Sequence, residues 1–185
     1  MQIAIKNNVA IWFSIRFLGL FLLCYYFNIM FFGITQPGHN YVAFLDQHLN
    51  YIDWLRWGLL HLSATLLRAF GFTVIVSKTE LLVAGHGIIQ LIYTCLGLGV
   101  MSFFTAFVLT YPKKLKAKLL FLFGGLLGIQ LLNVIRLMLL ALYWDRSKAR
   151  IIDHHVLFDV MIYLVIIVTL YYWINNKRSN PDAKN

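Results

Sequence analysis

The sequence is poor in charge, and poorest in acid. Only 12% of its 185 residues are Asp, Glu, Lys or Arg, and seven are acidic. A water-soluble domain of this length carries about twice that charged fraction, so the composition excludes one. Cysteine is nearly absent. Cys24 and Cys95 lie in different segments without metal-ligand spacing, which argues against a disulfide framework or a thiolate metal site. No internal repeat is visible. The first apolar run is too long for the core of a cleavable signal peptide and lacks a small-residue cleavage site, so none is expected. Lys and Arg are also missing from the whole stretch between Gly33 and Tyr51.

What fills the chain instead is apolar. Hydrophobic residues make up 61%, and the mean hydropathy is +0.74. Several runs approach or exceed the roughly 18 residues that mark a bilayer span. The net charge of +9 does not form one basic face. Lys and Arg flank the apolar runs, as cytoplasmic loops require, so the expected partners of this charge are membrane lipid headgroups, with no nucleic acid.

In chain order, Ile11 to Phe32 reads as a first span, with Arg16 close enough to its end to snorkel. The Lys- and Arg-free stretch after it belongs outside, with Lys6 inside. Tyr51 to Gly71 places Asp53, Arg56, His61, Thr65 and Arg68 at spacings of three to five, a polar stripe on an apolar helix. Such a helix lies in the interface or spans with its stripe turned inward; the interfacial placement closes the topology downstream. Between Phe72 and Tyr93 the period changes, with β-branched Thr73-Val74-Ile75-Val76, a polar turn at 77–80 and Gly85-His86-Gly87. This predicts two or three short strands or an irregular hairpin, held outside the bilayer or against the bundle.

Cys95 to Tyr111 reads as the second span, stopped by Pro112. Lys113, Lys114, Lys116 and Lys118 then give the strongest cytoplasmic signal in the chain. Leu119 to Tyr143 is the third span, and His154 to Ile174 the fourth. Arg146, Lys148 and Arg150 count against an external loop at 144–153, but the flanking lysines and Lys177-Arg178 outvote them. The expected fold is an all-α polytopic membrane protein. It has about four transmembrane helices, an amphipathic interfacial (or fifth spanning) helix, and a short extracytoplasmic β-hairpin-like segment before Cys95. Residues 1–175 form a single membrane-embedded domain, and 176–185 a disordered cytoplasmic tail.

Three distant positions then reach a common depth. At a helical rise of about 1.5 Å per residue, Cys95 lies roughly 24 Å above Tyr111, Arg136 roughly 27 Å above Lys118 and His155 roughly 28 Å above Ile174. All three sit near the outer edge of a hydrocarbon core about 30 Å thick. Their chemistry is complementary. A thiolate is a nucleophile, and a helix N-terminus and a guanidinium both favour it. Arg136 can also meet a developing oxyanion, and a histidine at the water boundary can exchange protons. Asn133, one turn from Arg136, can orient it or a substrate. Cys24 reads as packing. His39, His48, His61 and His86 read as interfacial polar residues without ligand spacing, so no metal and no cofactor is expected.

Cys95-Leu96-Gly97, Asn133-Val134-Ile135-Arg136 and His155-Val156-Leu157-Phe158 resemble, in that order, the motifs of the exosortase/archaeosortase family of membrane cysteine transpeptidases, here in a short form. The likeness covers about residues 50 to 174. Leu96 stands where the family pattern has serine, and Asp159 where many members have glycine. His154 competes with His155, whose Val-Leu-Phe register fits better.

The resemblance implies that Cys95 forms an acyl-thioester with the C-terminal sorting signal of an exported protein. That substrate would carry a short motif, a transmembrane segment and a basic tail. Arg136 would be a proton donor or electrostatic partner, His155 a transition-state or proton-transfer residue. The acyl group would pass to an acceptor at the outer face of the cytoplasmic membrane, or to water in a thiol protease. The alternative reading is a noncatalytic assembly or permeation protein using Arg136, Arg68 and the histidines as a polar path.

Overall fold

In a computed structural model, the backbone is described for residues 2–38, 40–143 and 154–175, and side chains for 10–38, 40–143 and 160–175. His39, the 144–153 segment and the tail expected at 176–185 lie outside the described residues.

The chain opens with α1 (Gln2–Thr35), a 34-residue helix with no proline to interrupt it. Among its described side chains, from residue 10 onward, only Phe31 and Thr35 are buried. Large apolar side chains such as Leu23, Phe27 and Met30 face outward, as lipid-facing positions should. The helix meets the bundle through aromatic rings and through Asn28, which donates to Ser102 Oγ at 3.1 Å and accepts from the Tyr51 hydroxyl. Phe17 meets Phe103 edge-on at 5.4 Å and 90°, and Phe13 meets Phe107 at 5.8 Å and 81°. Both partners belong to α4 (Leu98–Thr110). Edge-to-face pairing sets ring edges against ring faces and fixes the register of the two helices.

A short helix, α2 (Ala43–Leu49), turns the chain into α3 (Tyr51–Ala69). No helix is expected from sequence at 43–49, where α2 lies. Asn50 caps α3 by accepting the Asp53 amide at 3.0 Å. Its side-chain amide donates to Asp46 at 2.7 Å, and the Tyr41 hydroxyl donates to the other Asp46 oxygen at 2.8 Å. These bonds, Asn50 first, hold the Asp46 carboxyl below its ordinary range, and the same carboxylate raises Tyr41.

The polar stripe expected on this helix is not one face. Ile52, Arg56, Leu59, Leu60, Ser63, Ala64 and Leu67 are buried at i, i+4 and i+7 spacing, so Arg56 sits among the core positions. Thr65 and Arg68 are exposed on the other side, with Trp54 and Trp57. Burial follows what packs on a helix, and here α5 and the sheet cover the Arg56 side. Arg56 keeps an ion pair with Asp53 at 2.6 Å.

The expected strand segment is a three-stranded antiparallel meander of β1 (Val74–Val76), β2 (Glu80–Val83) and β3 (Ile88–Gln90), in spatial order β1-β2-β3. Leu81 and Val83 alternate inward from β2, and Gly85 adopts φ +79° at the following turn. The Nδ1 of His86 sits 3.1 Å from the Leu142 carbonyl, joining the β2–β3 turn to the end of α5 (Leu115–Tyr143).

The last element, α6 (His154–Asn175), begins where the fourth span was expected. By length and composition, α1 and α5 can cross a membrane; α4 and the 160–175 part of α6 are shorter apolar helices. The second span expected from Cys95 is therefore shortened. Cys95 lies in a 3-10 turn, Tyr93–Leu96, and the 13-residue α4 starts only after Gly97.

Two apolar cores result. One joins α3, the sheet, the Cys95 turn and the C-terminal half of α5; the other joins α4, α5 and α6 around Phe104, Ile129 and Ile166. At the opposite end, Lys113 is buried. Its ammonium donates to the Trp173 carbonyl and lies 4.5 Å over the Trp173 ring, while Lys118 caps Leu109 O at 2.7 Å. Burial pushes Lys113 down from its ordinary value. Two lysines of the expected cytoplasmic cluster thus hold helix ends together.

Candidate active site

The cysteine turn is built by a backbone exception. Gly97 takes φ +73° and ψ 15°, a left-handed conformation that ends the 3-10 turn and starts α4. A Cβ added there would lie 2.7 Å from the Asn133 side-chain nitrogen. Glycine is thus required twice, for its conformation and for the close approach of α5. The second glycine of the motif, Gly99, has only ordinary contact room, 3.5 Å from the Tyr25 ring.

From α5, three polar residues at i, i+3 and i+6 reach this turn. Gln130 Nε2 donates to Leu96 O at 3.4 Å and approaches Met101 Sδ at 2.7 Å. Asn133 Nδ2 donates to Leu96 O at 3.3 Å and to Gln130 Oε1 at 3.1 Å. Arg136 Nη2 donates to Cys95 Sγ at 3.8 Å. All of this is inside the protein: Cys95, Asn133 and Arg136 are 7%, 1% and 5% exposed. Asn133 Oδ1 is buried without a hydrogen-bond partner. Its orientation is fixed, because two acceptors face the nitrogen.

Beside these residues lies a cavity of about 180 Å³, lined by Asn133, Arg136, Gly97 and the rings of Tyr25, Tyr93 and Tyr163. It draws walls from α1, the cysteine turn, α4, α5 and α6. Cys24 and Cys95 form no disulfide, and no cluster of metal-ligating side chains occurs among the described residues.

Of the residues expected from sequence, Cys95, Asn133 and Arg136 come together. His154 and His155 open α6, but their side chains, like that of Asp159, lie outside the described residues. The other described histidines are elsewhere: His48 and His61 sit near carbonyls of their own helices, and His86 joins the sheet to α5. Gln130 and the three tyrosines escaped the sequence reading. Gln130 was findable, because Gln-x-x-Asn-x-x-Arg repeats at helical spacing on one face of an apolar helix. The tyrosines carry no such signal in a chain with ten of them.

A buried thiol–guanidinium pair, held where a short apolar helix begins and surrounded by outward-facing apolar helices, defines an integral membrane protein with a polar centre inside it. A family model described as transmembrane exosortase matches residues 8–172. The chain belongs to the transmembrane exosortase family. No curated protein and no solved structure matches it.

Proposed function

We propose that the protein is a membrane cysteine transpeptidase that removes C-terminal sorting signals from exported proteins. The observation that supports this most directly is the 3.8 Å contact from Arg136 to the sulfur of Cys95, two residues 41 positions apart in sequence. A cation costs several kcal/mol to bury without compensation, and an apolar pair would fill the same space. A guanidinium beside a sulfur favours the thiolate, the form that attacks a carbonyl.

In this reading the Cys95 sulfur attacks the scissile carbonyl carbon, and the negative charge moves to the carbonyl oxygen. Arg136 lies within side-chain reach of that oxygen and stabilises it. The C–N bond then breaks as the leaving amine gains a proton, and His155 at the start of α6 is the proposed donor. The product is a Cys95 acyl-thioester. An acceptor amine or hydroxyl, or water, attacks the thioester and restores the thiol. Asn133 orients the cysteine turn and the bound peptide.

The substrate in this proposal has a short motif, an apolar membrane segment and a basic tail. The enzyme is a multi-pass protein of the cytoplasmic membrane, with α1, α4, α5 and α6 as four spans, and it acts on the outer face. Shortening of α4 agrees with a site set just inside that face.

Replacing Cys95 with Ala or Ser tests the reading. Full-length exported proteins with an apolar helix and basic tail at the C-terminus should accumulate in the membrane proteome. Unchanged processing in the Ala variant would remove Cys95 as the nucleophile. The mass of the new C-terminus separates transfer from hydrolysis: an added group marks transfer, a free carboxylate hydrolysis.

A further inference from the structure

The two edges of the small sheet are treated differently. Val83 N donates to Gly87 O at 2.9 Å and Leu91 N to Thr79 O at 2.7 Å, on either side of the Leu81–Ile89 pair. Bonded pairs recur at every second residue of an antiparallel ladder, so Ile89 turns its N–H and C=O toward β2. Ile88 and Gln90 turn theirs away. On β1 the bonds Ser77 N to Glu80 O and Ala84 N to Thr73 O turn Val74 and Val76 outward in the same way. There the edge is closed: Arg68 Nη2 donates to Val74 O at 2.8 Å, and α3 packs along the strand.

Among the described residues α5 packs beside β3, but no backbone partner pairs with the outer edge of the strand. Among the described residues, no hydrogen bond reaches the outward backbone groups of Ile88 or Gln90, and both residues are exposed. The strand Ile88-Ile89-Gln90 is short, and it has neither the charge nor the proline that would bar a pairing chain from an edge. It runs on through extended Ile92, at φ −82° and ψ 166°, into the turn that holds Cys95. Gln90 and Cys95 are thus at most about 17 Å of chain apart.

We propose that the outer edge of β3 binds the substrate in extended form by strand addition, its backbone pairing with Ile88 and Gln90 so that the scissile bond arrives at Cys95. The inference rests on the transpeptidase reading and adds to it the means of recognition. Main-chain bonds hold the peptide, and alternate side chains select its sequence. A site of this kind accepts only unfolded, extended segments, which suits a flexible signal region and spares folded proteins.

The test uses the full chain in lipid nanodiscs and a pool of acetyl-tetrapeptidyl chloromethyl ketones randomised at every position. The rate at which the pool alkylates Cys95, located by mass spectrometry, is divided by the rate for chloroacetone, which carries the same reactive group without a peptide. In the wild type this ratio should be about tenfold or more, as two or more backbone hydrogen bonds allow. A backbone N-methylated pool should lose that advantage. So should Gln90→Pro, which removes an outward N–H, breaks no ladder bond and keeps the preceding residue extended, so the melting temperature should change little. Ile89→Pro removes an inward bond and should lower the melting temperature.

A ratio near one in the wild type, or an advantage that survives N-methylation or Gln90→Pro, overturns the proposal. If the edge instead receives a second copy of the chain, Ile88→Cys will join two chains by a disulfide while the peptidyl advantage survives Gln90→Pro, and the proposal also fails. The transpeptidase reading fails separately, by processing that survives Cys95→Ala.

Discussion

Gly97 shows how much a single position decides. Its left-handed backbone ends the turn that presents Cys95, and Asn133 occupies the space where a side chain would start. Gly97→Ala should cost about 1–3 kcal/mol from the backbone strain alone and displace Asn133. We expect processing to fall sharply while circular dichroism still reports a helical bundle; full activity would mean the turn tolerates a different shape. Arg136→Lys keeps the charge but replaces a planar fork with a point ammonium. If Arg136 meets the oxyanion, turnover should fall about 100-fold with the thermal midpoint little changed. Wild-type turnover would reduce Arg136 to a structural cation.

At the residue scale the sequence was partly legible. Counting helical rise along separate apolar runs puts Cys95 and Arg136 near one level, and they do meet, although Gly97 breaks the first run just after Cys95. The burial of Arg56 did not follow. Its spacing to Asp53 and His61 fitted a polar stripe, and only the elements packed on α3 decide which part of that stripe meets water.

Among the elements, α4 and α5 are held by one close fit. The Phe104 ring, 1% exposed, occupies the space beside Gly125, where an added Cβ would fall 2.1 Å from its Cζ. Gly125→Ala should destabilise the protein by about 1–3 kcal/mol, read as a lower thermal midpoint in detergent. Phe104→Leu in the same chain should recover part of the loss, and a purely additive double variant would contradict the fit.

The α2–α3 corner gives a pH prediction. The Asp46 carboxyl is held below its ordinary value by Asn50 and Tyr41, so its stabilising contribution is present above the unfolded value of about 4 and is lost as pH falls below it through the folded value. Amide exchange at residues 43–53 should quicken in that acid window. Asp46→Asn should remove that dependence; an unchanged profile would place the titration elsewhere.

Elements were read unevenly from sequence. The change of period at Phe72 announced the meander, since β-branched runs broken by glycine turns have a local cause. The shortened α4 had none visible, because Cys95 to Tyr111 is continuously apolar and only the conformation of Gly97 divides it. The lysines after Pro112 read as topology signals, yet Lys113 and Lys118 are spent on Trp173 and Leu109 carbonyls. Composition announces charge but not what the charge will touch.

For the molecule as a whole, the arrangement is a thin aromatic and apolar shell around one polar centre. The outward faces of α1, α5 and the 160–175 part of α6 carry exposed apolar side chains. Asn133 and Arg136 are buried at this centre, while Arg56 and Lys113 are buried elsewhere against their own partners, and membrane proteins keep such buried polar groups for function. The account stands on Cys95 acting as the nucleophile. The most direct measurement is mass spectrometry of the wild-type protein rapidly quenched from growing cells. It should show a hydroxylamine-sensitive acyl adduct on the peptide containing Cys95, absent from Cys95→Ala. Complete processing in Cys95→Ala, with no adduct on the wild type, would contradict it.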